Sequence, residues 1–485
     1  MELRDIFIAL ERPIYQMRSI KLANFVIDSR DVVPGSVFVA FQGERDDGHN
    51  YVSDAFNRGA QVAIIERDVV DERPVVDLRK DNDSVEFSNQ TPVCLRVHSS
   101  LNALQEIAAY WRARHRPRVI GITGSVGKTT TKEVIHTVLQ NRFRTLKSPG
   151  NLNNEIGLPL TLTQLDASFE HVVLEMGMYA EGEIARLAEI ARPHVGVVTN
   201  VGPVHLERLG SLSAIARAKT ELVKTLPVDG VAILNHDEPL VRDMAEHTKA
   251  RVFTYGLSPE ADLWADEIVS AGLNGIHFNL HYQGETINVR VPLLGRHSVH
   301  TALRATAVGL VEGMQWQGIL SGLAADRTQL RLVAIPGPRN SWIFDDTYNA
   351  SPASSIAALN LLEDLEGRKV AIMGDMLELG TYEDTGHRMV GRRAAQVADQ
   401  LITVGDLGRV IGEEAHVIGM QASSIVHADT VDQAIEITPS ILQDGDMVLV
   451  KGSRGVGLDR LVNALTQRTE PARPYDQPHP KGEQG

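Results

Sequence analysis

Residues 118–139 read RVIGITGSVGKTTTKEVIHTVL. Val119, Ile120 and Ile122 have the character of a buried strand, and Val134, Ile135, Val138 and Leu139 recur at helical spacing. Between them lies a Gly-rich turn, Gly124, Ser125, Val126, Gly127, Lys128, Thr129 and Thr130. Strand, Gly-rich turn and helix together predict a phosphate-binding loop. Glycines let backbone N–H groups close around phosphate oxygens, and the helix N-terminus adds partial positive charge. Lys128 is the expected cation for the outer phosphates, and the Thr129 hydroxyl the expected Mg²⁺ ligand. The spacing is a short form, because Ile122 stands where the longer pattern has its first glycine.

The chain around this stretch has 485 residues, too many for one core, and about three domains are expected. Apolar residues make up 43% of it, enough for packed α/β domains. With 48 basic and 62 acidic residues the net charge is −14, which argues against nucleic acid or an anionic membrane as a general partner. The single Cys94 excludes an intrachain disulfide and a Cys-based zinc site. The start, MELRDIFIALERPIYQ, has no uninterrupted apolar core, and no run of about 18 apolar residues occurs, so neither a signal peptide nor membrane insertion is expected. A cytoplasmic location is the default expectation.

Downstream of the loop, strand and helix alternate as far as Leu234, as in a mostly parallel sheet. SPGNLNNEIGLPLTL, 148–162, reads as a loop whose three asparagines either serve turn chemistry or orient a polar substrate. HVVL, 171–174, predicts a strand ending at Glu175, where a Mg²⁺ ligand belongs in a doubly wound sheet. Val195–Thr199 predicts another, with His205 just beyond it as a structural histidine or a second ligand. Helix 213–226 carries Lys219, which on its neighbours alone reads as a solvated helix lysine. The alternating segments IHFNLHYQ and TINVRV, split by Gly284-Glu285, predict an antiparallel hairpin.

Upstream, residues 25–97 read as a small α/β unit in which Ser29 and Arg30 either grip a phosphate or sit in a solvated turn. Its charged stretch 66–91 is expected to protrude as a loop or hairpin. Pro336-Gly337-Pro338 is the expected hinge to a third α/β unit, whose strands end in Asp345-Asp346, Gly374-Asp375, Gly405-Asp406 and Lys451-Gly452. The proline-rich end predicts a disordered tail. Lys128, Thr129, Glu175 and His205 together suggest a Mg²⁺–nucleotide enzyme, and three domains around one phosphate loop fit a ligase better than a switch NTPase.

These motifs resemble the Mur ligase family of ATP-dependent amide-forming enzymes. The resemblance covers about residues 25–465 and rests on TGSVGKTTT (123–131), EMG (175–177), TNVGPVHLE (199–207) and ARAKTE (216–221). NLNNEIGLPLTL (151–162), DDTYNASP (345–352), MGDMLELG (373–380) and VLVKGSRG (448–455) resemble the branch that adds D-alanyl-D-alanine to UDP-N-acetylmuramoyl-tripeptide; D-N-P-R, the mark of the diaminopimelate- or lysine-adding branch, is missing. The resemblance implies a UDP-sugar domain (1–98), a central parallel-sheet ATPase domain (99–335), a C-terminal Rossmann-like domain (336–468) and a tail (469–485). It further implies ATP, two Mg²⁺ ions and a monomer. By position it makes Glu175 and His205 metal ligands and Lys219 a carbamylated lysine on the second ion. Asn153 and Asn154 fall on the substrate side, Asp346 at the ribose, Arg331 near the phosphates, and Ser29 and Arg30 at the uridine diphosphate. The family's G-x-H-N-x-x-N stands here as Gly295-Arg296-His297-Ser298-Val299-His300-Thr301, so Thr301 and Ser298 replace two amides at the expected adenine side. A Mur-type ligase for another amino acid or dipeptide, or a nucleotide-switched scaffold, is the alternative.

Overall fold

The computed structural model describes residues 1–466 apart from 13–17, 44–45, 80–90, 205 and 326–332. Expectations for His205, Arg331 and the tail 469–485 therefore lie outside the described residues. The described strands form three sheets.

The central sheet carries the phosphate loop. Its spatial order is Glu285–Val291, Ile276–Tyr282, Leu263–Ser270, Arg251–Gly256, Val231–Asn235, Val195–Val198, Arg118–Thr123, His171–Glu175 and Thr145–Lys147. From Leu263–Ser270 to Thr145–Lys147 every pairing is parallel, and the two strands at the other edge add the predicted antiparallel hairpin. The hairpin thus prolongs the same sheet. Arg118–Thr123 is buried because strands pair on both sides of it and helices cover both faces. Val134, Ile135, Val138 and Leu139 of the following helix, Lys128–Leu139, enter one core with Ile120, Ile122, Val195 and Ile233. Leu222 of helix Leu212–Lys224 and Leu187 of helix Glu183–Ala191 fill the other face.

The N-terminal sheet is parallel throughout: Phe25–Val26, Val37–Val39, Val62–Ile65, Val93–Arg96 and Val75–Asp77. Val75–Asp77 corrects the expectation of a protruding hairpin over 66–91, because it joins the sheet beside Val93–Arg96. Its backbone groups gain partners there that a projecting loop would lack. The third sheet runs Val333–Pro336, Trp342–Asp346, Met447–Lys451, Lys369–Gly374, Gln400–Val404 and Ile425–Ala428, parallel except for its first strand. Val333–Pro336 crosses the expected boundary at 335 and pairs with Trp342–Asp346, so it belongs to this sheet. The stretch expected as one loop over 148–162 ends in a helix, Gly157–Leu162, which buries Leu158 and Leu162.

Candidate active site

The loop Gly124–Thr130 leaves the central sheet between two strand ends that brace it. Thr199 and Asn200 follow strand Val195–Val198. The Thr199 hydroxyl donates to the Val126 carbonyl at 2.7 Å, and the Asn200 side-chain oxygen accepts from the Val126 N–H at 2.8 Å. Ser125 Oγ accepts from the Gly202 N–H at 2.8 Å. Gly124 holds φ at +145°, and a β-carbon there would stand 1.8 Å from Thr199 Oγ1. Only glycine fits that close approach. The Lys128 ammonium donates to the Gly124 carbonyl at 2.7 Å and the Ser125 carbonyl at 3.3 Å. The first turn of helix Lys128–Leu139 opens at the loop, so the positive end of the helix dipole faces it.

On the other flank, strand His171–Glu175 pairs with Arg118–Thr123 and brings Glu175 to the loop. Glu175 is 1% exposed. One carboxylate oxygen accepts from the Thr129 hydroxyl at 2.7 Å and the other from the Asn153 amide at 2.9 Å. The Lys132 ammonium, fully buried, lies 3.9 Å from Glu175 and donates to the Gly150 carbonyl at 2.7 Å. It therefore ties the asparagine loop to the phosphate-loop helix. Burial holds its pKa below the usual lysine range despite Glu175 and Glu133 nearby. Asn154 does a different job from Asn153: its side-chain oxygen accepts from the Gly157 N–H at 2.9 Å and starts helix Gly157–Leu162.

Lys219 corrects the reading of a solvated helix lysine. It is 2% exposed, because it faces inward from Leu212–Lys224 beside the buried Ala218 and Leu222. Among the described residues none is hydrogen-bonded or ion-paired to its ammonium. Burial, with the Lys128 charge added, holds its pKa well below the usual lysine range. A neutral amine is what such a position favours.

The loop opens on a cavity of about 200 Å³ closed by the third sheet. Ser125, Val126, Gly127, Lys128, Thr129 and Thr130 line it together with Asp346 and Lys451 at strand ends and Asn349 in the loop after Asp346. His297, Ser298 and Thr301 also line it. Lys451, 1% exposed, donates to Asp346 at 2.6 Å and to the Asn349 carbonyl at 2.9 Å. The structure thus brings Gly124–Thr130, Glu175, Asn153, Thr301 and Asp346 around one region. Ser29 and Arg30 stand apart in the N-terminal unit, where Ser29 is buried against Asp54 and the exposed Arg30 pairs with Asp28 at 2.5 Å. Thr199, Asn200 and Lys451 fall inside the motifs TNVGPVHLE and VLVKGSRG, which assign them no role, and Lys132 lies outside every motif. Their signals are only a Lys one helical turn after Lys128 and polar residues at strand ends.

Thr129 and Glu175 are hard oxygen donors of the kind Mg²⁺ takes. Among the described residues no cluster of three or more acidic, His or Cys side chains is placed to hold a metal. Few protein ligands beside a phosphate site suit Mg²⁺, which keeps waters and phosphate oxygens as ligands.

A phosphate loop braced by neighbouring strand ends and closed by a second sheet defines a nucleotide-dependent enzyme that acts between domains. Residues 21–112 match the Mur ligase family catalytic domain, 122–309 the Mur ligase middle domain and 330–454 the Mur ligase glutamate ligase domain. The UDP-N-acetylmuramoyl-tripeptide–D-alanyl-D-alanine ligase of Bacillus subtilis is 36% identical over 444 residues, 91% of this chain and 92% of that protein. The enzyme of the same name from Escherichia coli is 33% identical over 93% of this chain and 95% of its own. Among solved structures, MurF from Acinetobacter baumannii superposes with a TM-score of 0.81 at 30% identity, covering 96% of this chain and 98% of that one. MurF ligase from Thermotoga maritima in complex with ADP gives 0.74 at 27% identity, covering 93% and 99%. The chain belongs to the Mur ligase family. Its activity is accordingly that of an ATP-dependent ligase.

Proposed function

We propose that the chain joins D-alanyl-D-alanine to the terminal carboxylate of UDP-N-acetylmuramoyl-tripeptide, with cleavage of ATP to ADP and phosphate. The observation that carries this reading is the cavity between the phosphate loop and Asp346, Asn349 and Lys451, which suits a nucleotide held between two domains. The identities of 33–36% over more than nine-tenths of the chain to ligases of that name support the substrate pair.

In this reading the tripeptide carboxylate attacks the γ-phosphorus of ATP and ADP leaves, giving an acyl phosphate. The neutral amine of D-alanyl-D-alanine then attacks the acyl carbon. The tetrahedral adduct expels phosphate, a C–N bond replaces the C–O bond, and the amine loses its proton. The protein's work is positioning and charge neutralisation. Gly124–Thr130 cradles the phosphates and Lys128 meets the β- and γ-groups. Thr301 faces the base and Asp346 the ribose. Asn153, held by Glu175, and Asn154 serve the tripeptide side, and Ser29 and Arg30 the uridine diphosphate. Arg331 is the proposed interdomain arginine near the phosphates.

Thr129 and Glu175 would hold one Mg²⁺. His205 and a carbamylated Lys219 would hold a second, the buried neutral amine being suited to taking up CO₂. Such ions supply charge neutralisation at the transferring phosphoryl group.

Product analysis tests the substrate pair. Purified protein with ATP, Mg²⁺, UDP-N-acetylmuramoyl-tripeptide and D-alanyl-D-alanine is expected to yield a species with the mass of both substrates less one water. Product from a folate or a single amino acid, and none from this pair, would instead favour a ligase of other specificity. ATP hydrolysis indifferent to every acceptor would favour a nucleotide-switched scaffold.

A further inference from the structure

A cation stands behind the phosphate loop that the reaction above leaves unused. Arg304 lies on helix Val299–Val311, which packs against the phosphate-loop helix Lys128–Leu139. It is only 5% exposed. Its Nε donates to the His300 carbonyl at 2.9 Å and its Nη1 to the Thr131 hydroxyl at 2.6 Å. The guanidinium sits over the Tyr255 ring, 5.7 Å from its centroid. A β-carbon on Gly127 would lie 3.4 Å from Nη1, so the charge touches the turn that opens the helix.

Glu238 acts on it through space, but among the described residues no carboxylate contacts it. Among the described residues no ion pair within 4.0 Å involves Arg304. Asp237 is engaged by His300 at 3.3 Å and by the Leu257 and Ser258 N–H groups. Glu238 accepts from the Val201 N–H at 3.4 Å. A buried guanidinium without a paired anion is costly. Its nearness to a helix N-terminus adds repulsion from the positive end of the dipole. Both penalties turn into attraction once polyphosphate occupies the loop, since charges act strongly across a low-dielectric interior.

We propose that Arg304 is a positioning residue of the phosphate loop: through Thr131 it fixes the first helical turn, and its charge favours polyphosphate over monophosphate nucleotides. This rests on the phosphate-binding reading of Gly124–Thr130. It explains why a buried arginine occupies a helix face it shares with Thr301, Ala307 and Val308, all buried.

The test is equilibrium binding of ADP and of AMP to the full chain by titration calorimetry, with folding checked by circular dichroism. Arg304→Gln keeps a hydrogen-bonding end but loses the charge. It is expected to lower the ADP-to-AMP affinity ratio by roughly tenfold, whereas Arg304→Lys keeps most of the ratio. A purely structural role would weaken both nucleotides alike. An unchanged ratio in folded Arg304→Gln overturns the proposal. Should that variant not fold, Thr131→Val decides, since it removes the anchor and leaves the cation. A ratio lowered about threefold supports the proposal, and an unchanged one overturns it. Failure of the unaltered chain to bind ADP would overturn the phosphate-loop reading as well, so the two failures are distinguishable.

Discussion

Lys128 and Lys219 are both lysines beside the same loop, yet their surroundings give them different chemistry. Lys128 donates to two carbonyls of the loop itself, at the place expected to meet phosphate. Lys128→Ala is expected to abolish D-alanyl-D-alanine-dependent phosphate release, and release at the unaltered rate in a coupled assay would refute its assignment. Lys219 is buried without an anionic partner among the described residues. Lys219→Ala is expected to lose roughly 10²–10³-fold in kcat and to regain part of it on addition of short-chain carboxylates. A fully active variant would rule out the carbamate. At this scale the sequence carried Lys128, Thr129 and Glu175 plainly, because a loop pattern and a strand end fix their places. It did not carry the burial of Lys219. Ala216 and Ala218 look the same on a solvated face as on a packed one, and only the neighbouring helices decide.

At the scale of elements, the loop depends on the strand end beside it. Gly124→Ala would drive a methyl into Thr199 and the loop it braces. A destabilisation of about 1–3 kcal/mol, together with weakened ADP binding, is expected from denaturant titration and calorimetry. A neutral effect on both would show that the brace does not matter. At the opposite ends of the strands, Glu312 closes helix Val299–Val311 onto the sheet through Arg118 at 3.1 Å and His171 at 2.8 Å. Burial pushes its carboxyl pKa up, but the bonds from His171 and Arg118 outweigh it and hold the pKa below the usual range. The pair therefore stabilises the fold above the unfolded carboxyl value of about 4.3 and is lost as pH falls through the lower folded value. Glu312→Gln should cost about 2 kcal/mol at pH 7 and flatten the acid limb of a stability–pH curve; an unchanged limb would discount the pair. Helix Lys128–Leu139 and its strand were legible from period and turn chemistry. Strand Val75–Asp77 was not, since its charged surroundings mask an edge strand held only by pairing with Val93–Arg96.

Across the whole molecule, the nucleotide cavity exists only because the third sheet stands over the central one. Buried Lys451 and half-buried Asp346 line it as an ion pair. Lys451→Met leaves Asp346 without this partner at the cavity wall, so a rise in KM for ATP of roughly tenfold is expected, measured by steady-state kinetics at saturating acceptor. An unchanged KM would detach the third sheet from nucleotide binding. Three α/β units were legible because hydrophobic strands alternate with helices in each. That Val333–Pro336 joins the third sheet was not legible, because only its antiparallel pairing with Trp342–Asp346 makes it a strand. What no local pattern could supply is the juxtaposition itself: Lys128 and Lys451 are far apart in the chain and share one cavity. The central claim is that this cavity couples ATP cleavage to two substrates brought by separate domains. Phosphate release, measured with ATP, Mg²⁺, UDP-N-acetylmuramoyl-tripeptide and D-alanyl-D-alanine and with each omitted in turn, tests it most directly. Steady release is expected only in the complete mixture; release at the same rate without D-alanyl-D-alanine would contradict this coupling.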